Sequence, residues 1–411
     1  MHRKITGEKI YNINLVVLVY KNLLNIIQFG LIKVFPGLAN LALIPFITIK
    51  LGANEYGSYS LKLGYAILIT TVLSAVLTQP MYRFLSLKKE GQDFFNSLML
   101  ALFSITFLAS SLIVFFHKSS LIISLGFGLY SASALLSAYV SVRLQIDSKI
   151  FQLAKYEALR LLIFISIIIF VELANMHLAV NHLLIGLILS NVVPFISLSG
   201  RLHFKWFSKD WLISILNYGS KSSIWLLMAG IPIVASKTIL SKNLNEFDFG
   251  IYALIADITY RGFGFLNSAV NMWAFPNLSR IYESKDFVKV NQMLTFSLSV
   301  YAIFGAILLF TLFLILNIVK VHLGSLSLIS IISIFFANLM WQSMSIAHKP
   351  LELSIRTGLM VVLLFLGVII FFLTHVFLHF MLAYSAILSV TIPTIIIACF
   401  YNFISFNAKL S

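Results

Sequence analysis

The stretch EYGSYSL, residues 55–61, returns in altered form as DFGIYAL, residues 248–254, and this repeat decides the architecture of the chain. The second copy starts 193 residues after the first, close to half of the 411 residues. Two flanking stretches repeat in the same order: IPFITIK (44–50) matches IPIVASK (231–237), and TQPMYRF (78–84) matches AFPNLSRI (274–281). Three matches in the same order predict an internal duplication.

The composition is that of a membrane protein. Hydrophobic residues make up 60% of the sequence, charged residues only 10%, and the mean hydropathy is +0.98. In a soluble globular protein about a quarter of the residues are charged. Apolar windows of about 20 residues, the length that a helix needs to cross a bilayer, recur from end to end. They predict twelve transmembrane helices, near 26–49, 57–79, 96–116, 120–141, 158–175, 179–199, 218–240, 250–274, 294–316, 322–345, 356–377 and 380–402.

The distribution of basic residues predicts the orientation of these helices. Most of the 29 Lys and Arg residues lie near the ends of the chain and in alternate loops, and loops of this kind stay in the cytoplasm. Both termini are therefore expected on the cytoplasmic side. The net charge of +15 follows from this topology and gives no reason to expect binding to nucleic acid.

The duplication and the spans together predict the fold class. It is an all-α integral membrane protein with about 12 transmembrane helices in two six-helix bundles. Six spans return each half to the side where it starts, so the halves should be parallel copies related by a pseudo-two-fold axis along the membrane normal. We expect an N-terminal half at 1–199, a cytoplasmic linker at 200–217 and a C-terminal half at 218–411. Transporters commonly bind substrate between such repeats.

The sequence offers little chemistry for an enzyme. It contains no phosphate-binding P-loop, no GxSxG nucleophile motif and no paired catalytic carboxylates. A single cysteine, Cys399, rules out a cysteine-based metal cluster. We therefore expect no catalytic residue, no metal ion and no cofactor.

Ionisable residues inside the predicted spans are the candidate functional residues, since a charge near the bilayer centre costs at least about 2.5–3.5 kcal/mol. The stretch IYALIADITYRGFGF (251–265) holds Asp257 and Arg261 four residues apart on one helix face, where they are expected to form an ion pair. Lys237 lies near the outer end of its span, so anchoring at the membrane interface and substrate binding are both open for it.

Two further lysines give the predicted spans a surplus of positive charge, because Lys33 and Lys62 have no acid nearby in their helices. Polar stripes on two helices would be costly against lipid and should therefore face protein or a cavity. The first stripe comprises Lys33, Gly37 and Asn40, and the second comprises Asp257, Arg261, Gly264, Ser268 and Asn271. A basic cavity of this kind suits an anion such as a phosphate or pyrophosphate.

Two local stretches, LGANEYGSYSL (51–61) and AFPNLSRIYESKD (274–286), resemble the polysaccharide-biosynthesis branch of the multidrug/oligosaccharidyl-lipid/polysaccharide (MOP) exporter superfamily. In architecture, the chain is similar to the Wzx-type O-antigen flippases of that branch. The resemblance implies transport of oligosaccharide repeat units linked to undecaprenyl pyrophosphate across the bacterial inner membrane, by alternating access, for O-antigen or a similar surface polysaccharide. It also implies a V-shaped cavity between the halves, lined chiefly by helices 1, 2, 7 and 8.

The resemblance also suggests roles for the candidate residues. Lys33, Lys62 and Arg261 are expected to contact the pyrophosphate or acidic sugars, and Lys237 is a further substrate-binding candidate. The expected sugar contacts are Asn40 and Asn271, and Asp257 is the candidate for coupling to a proton or sodium ion. The other candidate partners are membrane lipids, a polysaccharide polymerase and a chain-length regulator.

Two other functions within the same superfamily stay open. A cation-coupled small-molecule or multidrug antiporter would favour acidic cavity residues, whereas bases outnumber acids in these spans. A flippase for the lipid-linked peptidoglycan precursor is the other alternative. Members of that family usually have two further transmembrane helices at the C-terminal end, whereas this sequence predicts twelve transmembrane helices in all.

Overall fold

The computed structural model describes residues 37, 39–85, 91–117, 119–147, 149–199, 202–205, 209–318, 326–354, 357–381 and 386–406. These residues are almost entirely helical and include no strand. The helices are α1 (Ala39–Leu51), α2 (Ala53–Phe84), α3 (Gln92–Phe116), α4 (Leu121–Ile146), α5 (Ile150–Leu173), α6 (Val180–Leu198), α7 (Lys209–Asn243), α8 (Glu246–Glu283), α9 (Phe287–Ile318), α10 (Leu328–Ala347), α11 (Lys349–Leu353), α12 (Thr357–Met381) and α13 (Ala386–Phe406). The predicted all-α fold class is confirmed.

Nine helices in the described ranges are long and apolar enough to cross a membrane, namely α2, α3, α4, α6, α7, α9, α10, α12 and α13. The described part of α1 is shorter. The other two predicted spans carry charged residues: α5 carries Glu157 and Arg160, and α8 carries Asp257 and Arg261. At about 1.5 Å per residue, the 24 residues of α5 and the 38 residues of α8 are nevertheless long enough to span the hydrocarbon core.

Large apolar side chains cover the outer surface of the helices. Leu173 is 78% exposed, Phe116 77% and Phe310 72%. A soluble monomer rarely exposes contiguous apolar surface on this scale, whereas lipid tails solvate it. The exposed faces of these helices are therefore the lipid-facing faces.

The two halves of the chain pack their helices in the same pattern. In the first half, α2 contacts α3 and α4, α3 contacts α4, and α6 contacts both α4 and α5. In the second half, α8 contacts α9 and α10, α9 contacts α10, and α13 contacts both α10 and α12. The predicted boundaries between the halves stay a prediction, although α7 already begins at Lys209, inside the stretch 200–217 that was expected to be a linker.

The duplicated motif lies where the two halves cross. Gly57 of EYGSYSL and Gly250 of DFGIYAL occupy matching positions, and they contact each other between α2 and α8. A Cβ atom added to Gly57 would lie 3.0 Å from the Gly250 Cα, and one added to Gly250 would lie 1.9 Å from the carbonyl oxygen of Ala53. Small residues let helix backbones approach closely in membranes. The repeat therefore preserves a tight contact between the two halves.

Local sequence signals set the ends of these helices. Gly52 has a φ of 83°, a backbone conformation that favours glycine, and it separates α1 from α2. The Asn245 side chain accepts a hydrogen bond of 2.8 Å from the Asp248 backbone N–H and caps the start of α8. Pro232 interrupts the backbone ladder within α7. Gly52 and Asn245 thus set the starts of α2 and α8, two of the helices that carry the candidate site.

Candidate functional site

A cavity of about 570 Å³ lies between α2 of the first half and α7, α8, α10 and α13 of the second. The resemblance led us to expect a lining from the first two helices of each half. Among the described residues, α2, α7 and α8 do line the cavity, and α10 and α13 complete it. The polar side chains of α10 could not be assigned to the cavity from sequence, because amides more often hold membrane helices together and tryptophans more often anchor at the membrane interface.

The cavity wall is mostly apolar, with three charged side chains among the described lining residues: Lys237, Asp257 and Arg261. Two cations thus accompany one carboxylate. The uncharged polar groups include Asn338 and Gln342 of α10. An apolar pocket with a few convergent polar groups is the usual form of a small-molecule or headgroup site.

Asp257 is the centre of a buried polar network at the end of the cavity near Gly57. Lys237 Nζ lies 2.6 Å from Asp257 Oδ1, which makes an ion pair in which both side chains are 8% exposed. The Tyr56 hydroxyl donates to Asp257 Oδ2 at 2.8 Å, and the Ser60 hydroxyl donates to the same oxygen at 2.6 Å. Lys237 Nζ also donates to Ser60 Oγ at 2.7 Å. Both carboxylate oxygens therefore have partners.

This network corrects the expected pairing of Asp257 with Arg261. The carboxylate turns to Lys237 on α7, and no ion pair joins Asp257 to Arg261 in the described part of the chain. Lys237 is buried in this network, which favours the binding candidate over the anchoring role that was left open for it. The physical reason is tertiary: the packing of α7 against α8 brings the ammonium group within hydrogen-bond distance of the carboxylate, and a partner on another helix is not visible in the spacing of one helix.

Arg261 is the cation that this network leaves available to the cavity. It is partly buried and lines the cavity, and its guanidinium group makes no hydrogen bond with the residues that the structure describes. Its electrostatic neighbours are Asp257 and the phenol groups of Tyr56, Tyr59 and Tyr130. A guanidinium group in such surroundings presents several donors to an anion.

The other predicted site residues are placed less centrally. Lys33 lies outside the described residues. Lys62 is partly buried on α2 but is not among the described residues that line the cavity, and Asn40 is exposed on α1. Asn271 is not among the described lining residues either, but its Nδ2 donates to two that are, to Asn267 Oδ1 at 2.7 Å and to Ser345 Oγ at 3.1 Å.

The α10 wall carries polar and aromatic groups that the predicted site residues do not include. Gln342 faces Gly264, and its Oε1 lies 3.5 Å from Asn267 Nδ2. Trp341 lines the cavity and donates from its indole Nε1 to the Ala229 carbonyl oxygen at 3.1 Å. That carbonyl lies in the turn of α7 before Pro232, and the bond ties α10 to α7.

A pair of histidines on α12 was not predicted as a site from the sequence. His375 and His379 are four residues apart, and their ring centroids lie 5.8 Å from each other. His375 Nδ1 lies 3.2 Å from the Ser389 carbonyl oxygen of α13. Two histidines one turn apart are a familiar half of a metal site, but no third His, Cys, Asp or Glu completes a metal-binding group in the described part of the chain.

Comparison with known proteins identifies the architecture through its fold. By sequence, no protein-family model and no curated protein matches the chain. Among solved structures, it is similar to an inward-facing MATE multidrug resistance transporter of the MOP superfamily (TM-score 0.64, 12% identity, 92% of this chain and 96% of that one). It is also similar to the lipid II flippase MurJ in an inward closed conformation (0.62, 15%, 92% and 86%). The MATE multidrug transporter DinF-BH is a third (0.58, 12%, 95% and 97%). The chain therefore has the helical membrane fold that these MATE transporters share with MurJ.

Proposed function

We propose that the protein is a flippase that carries a pyrophosphate-linked lipid oligosaccharide across the bacterial inner membrane. The substrate class is an undecaprenyl-pyrophosphate-linked repeat unit for O-antigen or a similar surface polysaccharide. The observation that carries the proposal is the charge of the cavity: Lys237 and Arg261 face it together, and Asp257 balances only one of them. A diester of pyrophosphate brings two negative charges and several acceptor oxygens, for which an ammonium and a guanidinium group on one wall are suitable partners.

The position of the cavity suits alternating access. It lies against α2 of the first half and four helices of the second, so a movement of one half against the other changes which side of the membrane it faces. The headgroup would cross through the cavity while the polyprenyl tail remains against the apolar outer helix faces. The fold shared with the lipid II flippase MurJ supports a lipid-linked substrate of this kind.

A multidrug or other small-molecule antiporter is the second candidate, and two observations favour it. Two of the three structures named above are MATE multidrug transporters, and the cavity wall is mostly apolar with Trp225 and Trp341 in it. Against it stands the state of Asp257: a cation substrate would need this carboxylate, which already holds Lys237 and two hydroxyl groups.

Exchange of Arg261 tests the proposal in cells. In a strain that lacks the chromosomal gene, Arg261→Ala should insert into the membrane normally but fail to restore surface glycan, whereas Arg261→Lys should restore part of it because one charge and three donors remain. The matched control is Arg280→Ala, which removes an exposed arginine from the same helix and should restore export fully. Normal export by Arg261→Ala would remove the pyrophosphate-binding role from this residue and favour the antiporter.

A further inference from the structure

The network around Asp257 links the two halves of the chain. Tyr56 and Ser60 belong to α2, Lys237 belongs to α7 and Asp257 belongs to α8. All four are buried, with exposed fractions of 2%, 1%, 6% and 6% in that order. A hydrogen-bonded ion pair with so little access to water is among the stronger polar contacts that a membrane protein makes.

The same network is open to the cavity on one side. Ser60, Lys237 and Asp257 all line the cavity wall, and Arg261 follows one turn further along α8. An anion that enters between Lys237 and Arg261 therefore meets a lysine that already has an anionic partner. The carboxylate of Asp257 already holds the Lys237 ammonium group at 2.6 Å.

From this geometry we propose that Asp257 is an intramolecular competitor of the transported anion. The proposal rests on the proposed function and adds a regulatory step to it. When the pyrophosphate group binds, Lys237 exchanges its carboxylate partner for a phosphate oxygen. Asp257 keeps the two hydroxyl donors of Tyr56 and Ser60, so it is not left without partners. Lys237 also gives up its charged hydrogen bond to Ser60 of α2, which is one of the three side-chain contacts that join the halves in this network, so the halves separate more easily when substrate is present than when it is absent.

Binding of two probes to variants in lipid nanodiscs tests this competition. The probes are inorganic pyrophosphate and undecaprenyl pyrophosphate without sugar. Asp257→Asn keeps the size and the hydroxyl contacts but frees Lys237, so it should bind the probe at least about tenfold more tightly than the wild type. Tyr56→Phe should act in the opposite direction, about threefold weaker, because Asp257 then depends more on Lys237.

The matched control is Glu172→Gln. Glu172 pairs with Lys50 and is 49% exposed, so the same charge change is made at an ion pair that lies away from the cavity wall. This variant should bind both probes as the wild type does. If Asp257→Asn binds both probes more tightly than the wild type, the site recognises the bare anion. If it binds only the lipid probe more tightly, the site recognises membrane-borne pyrophosphate. Either result supports the competition.

A distance measurement tests the link between the halves. Spin labels at exposed Asn54 on α2 and exposed Phe247 on α8, with Cys399→Ser to remove the native thiol, report on the crossing point. Pyrophosphate should broaden the distance distribution in the wild type, and Asp257→Asn should show the broad distribution without ligand. If the probe binds but Asp257→Asn neither tightens binding nor broadens the distances, the competition is wrong and the anion site stands. If no variant binds either probe, the proposed function fails as well.

Discussion

Removal of one partner from the buried pair of Lys237 and Asp257 should destabilise the fold strongly. Lys237→Met keeps most of the side-chain volume and deletes the charge. Asp257 then retains only the hydroxyl groups of Tyr56 and Ser60, in a region where both charged side chains of the pair are 8% exposed. Two hydroxyl donors compensate a buried carboxylate only in part once its ion-pair partner is removed.

The size of the effect follows from the distance. Two unit charges 2.6 Å apart attract each other by about 6 kcal/mol at an effective dielectric constant of about 20. Desolvation of both groups offsets much of this attraction in the intact pair, but the carboxylate remains desolvated after its partner is removed. We therefore expect Lys237→Met to lower the free energy of unfolding by about 3–5 kcal/mol.

A double-mutant cycle measures the pair directly. The free energy of unfolding is determined by denaturant titration in mixed micelles for Lys237→Met, Asp257→Asn and the double variant. The double variant should lose less stability than the sum of the single variants, by at least about 2 kcal/mol. The same cycle on the exposed pair of Lys50 and Glu172 should give a coupling below about 1 kcal/mol. Additive effects at Lys237 and Asp257 would refute the assignment of a strong buried pair.

Two glycines give further predictions. Gly250→Ala should greatly reduce the yield of folded protein, because its Cβ would lie 1.9 Å from the Ala53 carbonyl oxygen. Gly358→Ala should be tolerated, because no atom lies within 4 Å of the added Cβ. Size-exclusion profiles of the two variants test this difference. Gly52→Ala should lower the free energy of unfolding by about 1–2 kcal/mol, because φ is 83° at this position. Gly52→Asn should lower it by less, since Asn adopts positive φ more readily. Equal losses for the two variants would contradict this explanation.

The sequence predicted the helical membrane fold well because its signals are local or periodic. Apolar windows of about 20 residues mark helices whatever their neighbours are. The duplicated motif also predicted correspondence between the halves, and the contact of Gly57 with Gly250 gives that motif a physical reason. Composition is a weaker guide for α5 and α8, because each of these helices carries charged residues within its predicted span.

The candidate site was only partly predictable, because its partners are distant in sequence. Asp257 and Arg261 were identified from their cost in a membrane, and both line the cavity. The partner of Asp257 could not be found by spacing, since Lys237 lies on another helix and Tyr56 lies 201 residues away. The contribution of α10, with Trp341 among its residues, likewise depends on helix packing that no local pattern encodes.

The location of lipid-linked intermediates after gene deletion tests the central claim most directly. Deletion should abolish surface glycan and cause lipid-linked repeat units to accumulate in the inner leaflet, and the wild-type gene should reverse both effects. This pair of results would establish that the protein moves the lipid-linked substrate across the membrane. Intact surface glycan with unchanged levels and leaflet distribution of the lipid-linked intermediates would contradict the account.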